Sequence, residues 1–401
     1  MAHQRRRHLT DLIRRTLGFS PIVGILGHRQ VGKTTLVSDL ADRYLTLDVA
    51  EDLANAQSDA ASFLASHVST GAPTVIDECQ LAPPLFPALK EWVRTRRAPG
   101  QFLLTGSVRF ASRKAIREAL TGRIIIWELL PMDWSEQHEA PLPSSLLRLI
   151  KAKEFGMALR PCDGFNRKTY ERAIMMGGLP GVFAVRNPAI RSQRFETQIA
   201  TILERDLRLI LETSLGFKSL RRLFAALAKQ VGGALNVAEI SRETRISLPT
   251  LRKLLAAFEA LFLIRMVPCE GDYLKPLLFF EDIGEWNHLL GPHQKAESVR
   301  LSAFLFHHLR VQVHYRPDEQ VETFSFRDRS GNFVPLCFRS KNGVLGVIAL
   351  GDDEGIAEAN LSARAFLGRY LGSKVLIVGV KDRDELLARD VRWIGAGRLL
   401  T

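Results

Sequence analysis

No apolar run in this sequence approaches the roughly 20 residues that span a bilayer, and the basic opening with Arg5, Arg6 and Arg7 leads into no signal-peptide core. That opening reads as a surface helix running to Leu17, and no membrane partner is expected. Cysteine is scarce. Cys79, Cys162, Cys269 and Cys337 lie far apart with no metal-ligand spacing, which argues against a zinc module or disulfide scaffold and suits a reduced, cytoplasmic compartment. Acidic residues are in the minority: 43 Asp and Glu against 55 Lys and Arg give a net charge of +12. The basic residues recur along the chain and form no single tail, so a polyanionic partner, nucleic acid before membrane, would meet a folded basic surface. What is present is ordinary for a globular protein: 46% apolar and 24% charged residues over 401 positions, room for roughly two to four domains.

One stretch organises the rest. Residues 27–35 read Gly-His-Arg-Gln-Val-Gly-Lys-Thr-Thr, after an apolar strand at 21–26 and before a helix expected over 36–43. Strand, glycine-bounded loop and helix wrap backbone N–H groups around phosphate, with the helix dipole behind them. This is a nucleotide-binding P-loop, with Gly27, Gln30, Gly32, Lys33, Thr34 and Thr35 as cofactor-binding residues. Lys33 is expected at the β- and γ-phosphates of ATP and the Thr34 hydroxyl on Mg²⁺.

A short strand at 44–48 and an amphipathic helix through 63–65 precede the buried strand 73–78, which ends in Asp77-Glu78. A carboxylate pair at a strand tip supplies a Mg²⁺ holder, Asp77, and a base for the attacking water, Glu78. After a helix at 86–93, the strand 101–107 ends in polar residues, making Thr105 or Ser107 a sensor of the γ-phosphate or the attacking water. A helix and turn at 115–123 lead to a last strand at 124–129. Strands alternating with helices imply a parallel sheet covered on both faces.

Five segments in order, the P-loop, Val-Ile-Asp-Glu-Cys-Gln-Leu-Ala-Pro-Pro-Leu-Phe-Pro-Ala-Leu-Lys, Phe-Leu-Leu-Thr-Gly-Ser, Leu-Thr-Gly-Arg and Leu-Leu-Pro-Met-Asp-Trp-Ser-Glu, resemble the prokaryotic AAA-type (AAA+) ATPases that carry a P-loop domain, a winged helix and a nuclease-like tail. The resemblance implies that Gln80 lies beside the strand-end carboxylates. It also implies that Arg123, just before the fifth strand, acts as an arginine finger in a neighbouring subunit, with Arg109, Arg113 and Arg117 competing for the role. A shared site of that kind implies a homo-oligomer, a ring or spiral of six. Gly177-Gly178-Leu179-Pro180 resembles the family's lid turn, and Glu204-Arg205-Asp206-Leu207 also matches, with Arg205 expected either at nucleotide or on a carboxylate.

Helical spacing at 220–231 and 235–244, the second capped by Asn236 with Glu239 three residues on, the turn 245–247, a third helix at 248–261 and strands at 263–267 and 277–280 read as a winged helix-turn-helix. Arg245, Thr250, Arg252 and Lys253 are its DNA-binding candidates, with Lys275 near the wing. Lys218, Arg221, Arg222, Lys229, Arg242 and Arg265 add to the local basic excess. In the tail, a helix at 297–306 and strands at 311–315, 323–327, 334–338 and 374–380 resemble a restriction-endonuclease-like domain. Thr323, Cys337 and Arg339 stand where that family's Asp, Glu and Lys would be, so the tail is expected not to cut, with Glu322, Asp328 and 352–354 as other sources of carboxylates. The expected architecture is α/β: a P-loop NTPase of AAA+ type over 1–140, a helical lid and linker over 141–215, a winged helix-turn-helix over 216–290 and a small degenerate nuclease-like α/β domain over 291–401. The expected function is Mg·ATP hydrolysis that drives an oligomeric motor or remodeller on DNA, or, alternatively, an ATP-gated switch that binds a protein.

Overall fold

The computed structural model describes residues 5–68, 71–109, 120–155, 159–272, 274–291, 293, 295–351 and 355–401. Five strands, β1 (Ile22–Leu26), β2 (Arg43–Thr46), β3 (Thr74–Asp77), β4 (Phe102–Gly106) and β5 (Ile124–Glu128), form a sheet in the order β2-β3-β4-β1-β5, every pair parallel. The three central strands read Ile-Val-Gly-Ile-Leu, Thr-Val-Ile-Asp and Phe-Leu-Leu-Thr-Gly and are buried along their whole length, as a sheet covered on both faces requires. The registers Ile22↔Phe102 and Ile76↔Leu104 bring the carboxyl ends of β1, β3 and β4 together. In an open parallel sheet that edge is where ligands bind.

Two local expectations change here. The helix after the P-loop spans only Lys33–Ser38 because the chain turns at Asp39 and enters β2 at Arg43. The helical stretch after β2 is two helices, Ala50–Ser58 and Ala60–His67, broken at Asp59, whose side chain caps the second by accepting from Ser62 N.

In the middle of the chain, helices Phe217–Gln230, Val237–Thr244 and Leu248–Ala260 precede β6 (Ile264–Val267) and β8 (Leu277–Phe280), an antiparallel pair. Asn236 accepts from Glu239 N, Arg245 turns the chain with φ of 59°, and Ser247 caps the third helix. Between β6 and β8, β7 (Cys269–Gly271) leaves this unit and pairs with β9 (Glu322–Arg327). It becomes the edge of a second sheet, order β13-β14-β12-β11-β10-β9-β7, completed by β10 (Phe333–Ser340), β11 (Gly343–Ala349), β12 (Lys374–Gly379), β13 (Asp384–Ala388) and β14 (Val391–Gly395).

The strand expected at 311–315 is instead the last turn of a helix, Glu297–His314, whose residues 301–309 are buried throughout. A helix buried on all sides loses the 3.6-residue pattern, and Val311-Gln312-Val313 then alternates like a strand. The segment after 140, expected as a helical lid, packs elsewhere. Helix Ser145–Lys151 and the segment after it lie on the second sheet: Ser145 Oγ donates to Leu399 O at 2.8 Å, Arg392 Nη1 to Phe155 O at 2.7 Å and Arg398 Nη1 to Leu159 O at 2.6 Å. One apolar core runs from Leu146 through Ile199, Phe224, Phe258 and Phe304 to Ile394, so residues 145–401 do not separate into three cores.

Candidate functional site

Between β1 and helix Lys33–Ser38, the loop 27–32 turns through Gly32 at φ of 96°, a left-handed backbone that suits glycine. A Cβ at Gly27 would lie 2.4 Å from Leu129 O, so the loop can follow β1 closely only with glycine there. Lys33 is 6% exposed, and its Nζ donates to Gly27 O and His28 O, both at 3.0 Å. Burial lowers its pKa against the pull of Glu78 and Asp77. The ammonium is therefore held by two carbonyls of the very loop it would leave for phosphate.

At the end of β3, Asp77 collects the site's hydroxyls. Thr34 Oγ1 donates to Asp77 Oδ2 at 2.8 Å, Tyr44 also donates to Oδ2, Thr105 donates to Oδ1, and Glu78 N reaches Oδ1 at 3.2 Å. Thr105 is fully buried and sits on Asp77, while Ser107 Oγ lies 3.5 Å from Glu78 Oε2. Glu78 leaves the strand with φ of 54°, a left-handed conformation that is rare away from glycine and collects at functional sites. Gln80 donates to its carboxylate. Burial raises the Glu78 pKa, opposed by Lys33, a direction that favours a proton acceptor. Thr34 and Asp77 offer a hard oxygen pair beside the P-loop, which fits Mg²⁺, an ion that takes one or two protein oxygens and completes its shell with phosphate and water.

The loop's remaining side chains tie it to distant parts of the chain. His28 is buried, with Nε2 3.2 Å from Glu285 Oε2 and Nδ1 2.7 Å from Arg29 O; burial lowers its pKa, but Glu285, the Arg29 carbonyl and Asp282 together raise it above the ordinary value. Arg29 pairs with Asp206 at 3.2 Å, and Arg205 pairs with Asp48 at 3.2 Å, so of the two roles expected for Arg205 the structure shows the carboxylate contact. Arg7 is buried, donates to Val31 O at 2.7 Å and pairs with Glu136 at 2.9 Å. Beside Gly32, Thr34 and Thr35 opens a cavity of about 780 Å³, lined also by Arg5, Arg6, Arg14 and Pro180 of the double-glycine turn.

Gly27, Gly32, Lys33, Thr34, Asp77, Glu78, Gln80, Thr105 and Ser107 are thus brought together, and Gln30 and Thr35 flank them on the same loop and helix. Arg123 is not among them. It precedes β5, and the register Ile22↔Ile124 puts it at the end of the sheet opposite the P-loop, with Nη1 on Thr121 O at 3.2 Å. Arg109 is engaged elsewhere: it lies 3.1 Å from Glu128 and over the Phe262 ring at 4.3 Å. Arg113, Arg117 and 352–354 fall outside the described residues. Arg245, Thr250, Arg252 and Lys253 lie on the third middle helix or the turn before it, away from the P-loop in sequence, and the Thr250 hydroxyl is 2.8 Å from the cap Ser247. Sequence reasoning missed Tyr44, His28 and Glu285. Tyr44 stands in an edge strand with no motif around it, and Glu285 lies 257 positions from its partner.

Comparison with known proteins agrees with this geometry. The AAA domain family matches residues 19–138, and a domain of unknown function matches residues 167–291. Uncharacterized proteins of Mycobacterium tuberculosis and Mycobacterium bovis are each 30% identical over 295 residues, 71% of this chain. The match spans about 60% of those relatives' length. Among solved structures, AMPPCP-bound DnaA from Aquifex aeolicus is 13% identical with a TM-score of 0.28, covering 63% of this chain and 85% of that one. A signal transduction ATPase with numerous domains and a tetratricopeptide repeat sensor, from Pyrococcus horikoshii, is 12% identical with a TM-score of 0.23, covering 79% and 48%. Likeness at those scores supports no conclusion. The parallel sheet, the P-loop and the family match agree: residues 19–138 form a P-loop NTPase domain of AAA type.

Proposed function

We propose that the protein hydrolyses Mg·ATP and uses the cycle to move or remodel DNA held by the helix-turn-helix unit, in a cytoplasmic homo-oligomer. Lys33 leaves the Gly27 and His28 carbonyls for the β- and γ-phosphates, and the cavity of about 780 Å³ beside Thr35 takes the nucleoside. Glu78 receives the proton of the water whose oxygen bonds to the γ-phosphorus as the bond from that phosphorus to the β–γ bridging oxygen breaks, and ADP and inorganic phosphate leave. Thr34 and Asp77 would hold Mg²⁺, which would neutralise phosphate charge when bound. Arg123, at the far end of β5, serves a neighbour's site, which requires head-to-tail contacts that close into a ring or run on as a spiral.

The observation that carries the DNA reading is the third helix, Leu248–Ala260. Near its N-terminal end, Arg245, Arg252 and Lys253 are exposed, and none forms an ion pair among the described residues. Other basic residues of this region are neutralised internally: Arg221 by Glu196, Lys229 by Glu243 and the half-buried Arg265 by Glu128 and Glu281. Free cations on an exposed helix suit phosphate. At the other end of the same helix, Arg109 N donates to Ala260 O at 2.9 Å and Arg109 Nε to Glu259 O at 3.1 Å. Arg109 follows the sensor strand β4 by three residues, so a shift at Thr105 or Ser107 has a short path to the helix. The experiment is ATP turnover with and without duplex and single-stranded DNA. A rise on adding DNA is expected. Turnover indifferent to DNA, together with no DNA binding, would replace this reading with the ATP-gated switch that holds a protein partner.

A further inference from the structure

Asp77 has no acceptor position left. A carboxylate offers about four lone-pair sites, and here Thr34 and Tyr44 donate to Oδ2 while Thr105 and Glu78 N donate to Oδ1. These four donors differ in how freely they can leave. Thr105 is fully buried within β4, and the Glu78 amide is main chain at the strand end, so neither departs without moving the sheet. Thr34 belongs to the P-loop, and its oxygen can bind a cation while its hydrogen stays on Asp77.

Tyr44 is different. It lies on β2, the edge strand of the sheet, paired on one side only with β3. It is 37% exposed although its hydroxyl ends on the carboxylate. A ring with solvent beside it can swing away by side-chain rotation alone, on the timescale of an ordinary rotamer change. The P-loop is in a matching condition, since Lys33 is tied to Gly27 O and His28 O. Both groups that would meet Mg·nucleotide are thus satisfied within the protein.

We propose that Tyr44 is a positioning residue that guards Asp77: its hydroxyl occupies the acceptor site that a hydrated divalent cation needs, and it is displaced when Mg·nucleotide binds. The inference rests on the nucleotide-binding reading of the P-loop. Its consequence is that Tyr44 sets the Mg²⁺ concentration at which the site loads, while leaving metal-free nucleotide binding alone.

The test is calorimetric binding of AMPPCP to the full chain in EDTA and across a Mg²⁺ series, for wild type and Tyr44→Phe, which keeps the ring and its packing. Loss of a hydrogen bond to a charged acceptor should lower the Mg²⁺ midpoint by about tenfold, with affinity in EDTA unchanged. An unchanged midpoint in the variant beside a normal Mg²⁺ dependence in wild type would overturn this inference alone. So would a higher midpoint, which would make the hydroxyl a support for the cation. Failure of wild type to bind AMPPCP in either condition would overturn the nucleotide reading and this inference with it.

Discussion

The five-stranded and seven-stranded sheets have similar plans: parallel strands at or near the centre, helices against them, and polar residues among apolar ones. What they do with those polar residues differs. In the first sheet, parallel register stacks the carboxyl ends of β1, β3 and β4, and Lys33, Thr34, Asp77, Glu78, Thr105 and Ser107 converge there. In the second sheet, Thr323 stands opposite Phe338, and Cys337 opposite Phe324. Cys337 is fully buried, and burial raises its pKa well above the ordinary thiol value. Arg339 is held by Glu270 at 2.6 Å and Glu322 at 3.3 Å, lies over the Phe324 ring at 4.4 Å, and shares Glu270 with the Tyr370 hydroxyl. Asp328 accepts from Asn332 N at 2.9 Å and from its side chain at 2.7 Å. The first sheet gathers its polar groups at one end, where Lys33 is held by loop carbonyls and Asp77 by hydroxyls and an amide, and the second pairs its charged groups with one another. The lesson is that backbone plan alone does not make a site: the groups must also converge, and be held by neutral partners that a ligand can replace rather than by opposite charges.

The contrast breaks most sharply if the first sheet is not catalytic. Arg123→Ala should cut turnover on the order of 10³-fold if it acts as a finger in a neighbouring subunit. Mixing it with Lys33→Ala subunits, each inactive alone, should restore part of the ATPase activity, because an intact P-loop can then meet an intact finger. No recovery, with a monomer seen by light scattering in ATP and DNA, would end the shared-site proposal. Glu78→Gln should bind ATP yet turn over on the order of 10²-fold more slowly. Full turnover by that variant would remove Glu78 as the base. Since burial raises the Glu78 pKa, the acid limb of the rate profile should lie above the range of an ordinary glutamate and vanish in Glu78→Gln.

A smaller effect is expected at the helix that the two halves share. Arg252→Ala with Lys253→Ala should weaken DNA binding and reduce the salt slope by roughly two units, measured by fluorescence anisotropy across a salt series. An unchanged slope in folded protein would move DNA contact to another surface.

Stability offers a further test, at the seam between the sheets. Glu128, 11% exposed, sits among the half-buried Arg265, Arg310 and Arg109, at 2.6–3.1 Å for the Arg310 and Arg109 contacts that reach Glu128 or its neighbour Glu281. Burial alone would raise its pKa, but Arg265 and then Arg310 and Arg109 outweigh it and bring the carboxyl down to about 2. A depressed carboxylate stabilises the fold above its unfolded pKa of about 4.5 and loses that contribution as pH falls toward 2. Glu128→Gln should therefore lower stability at neutral pH by about 3 kcal/mol, by leaving half-buried arginines without it, and flatten the acid dependence of the melting temperature between those values. In the second sheet the expected result is none: Mg²⁺- or Mn²⁺-dependent DNA cleavage that disappears on changing Glu322 or Asp328 would show that its carboxylates form a site after all.

The P-loop, the strand ending in Asp77-Glu78, the strand ending near Thr105 and the order of strands through Glu128 were legible in the chain, because each is written in contiguous residues, while most of the helix expected at 115–123 lies outside the described residues. A glycine-bounded loop needs only its neighbours to take shape, and a buried strand announces itself as an apolar run. The three middle helices were legible through their spacing, and the second also through its cap Asn236, for the same reason. Where several partners compete, periodicity fails: Glu297–His314 is buried all round over 301–309 and mixes polar with apolar residues, so its end read as a strand, and Ser145–Lys151 read as part of a lid although it lies on the second sheet. Which arginines are free was also beyond sequence, since Arg245, Arg221 and Arg265 look alike until packing brings carboxylates to two of them. The sequence by itself thus determined the P-loop and the strand-end carboxylates as local features, because contiguous residues suffice to form each. Only the tertiary structure decided that His28 meets Glu285, that Arg109 meets the end of helix Leu248–Ala260 and that Tyr44 meets Asp77, because such contacts depend on how distant elements share one core.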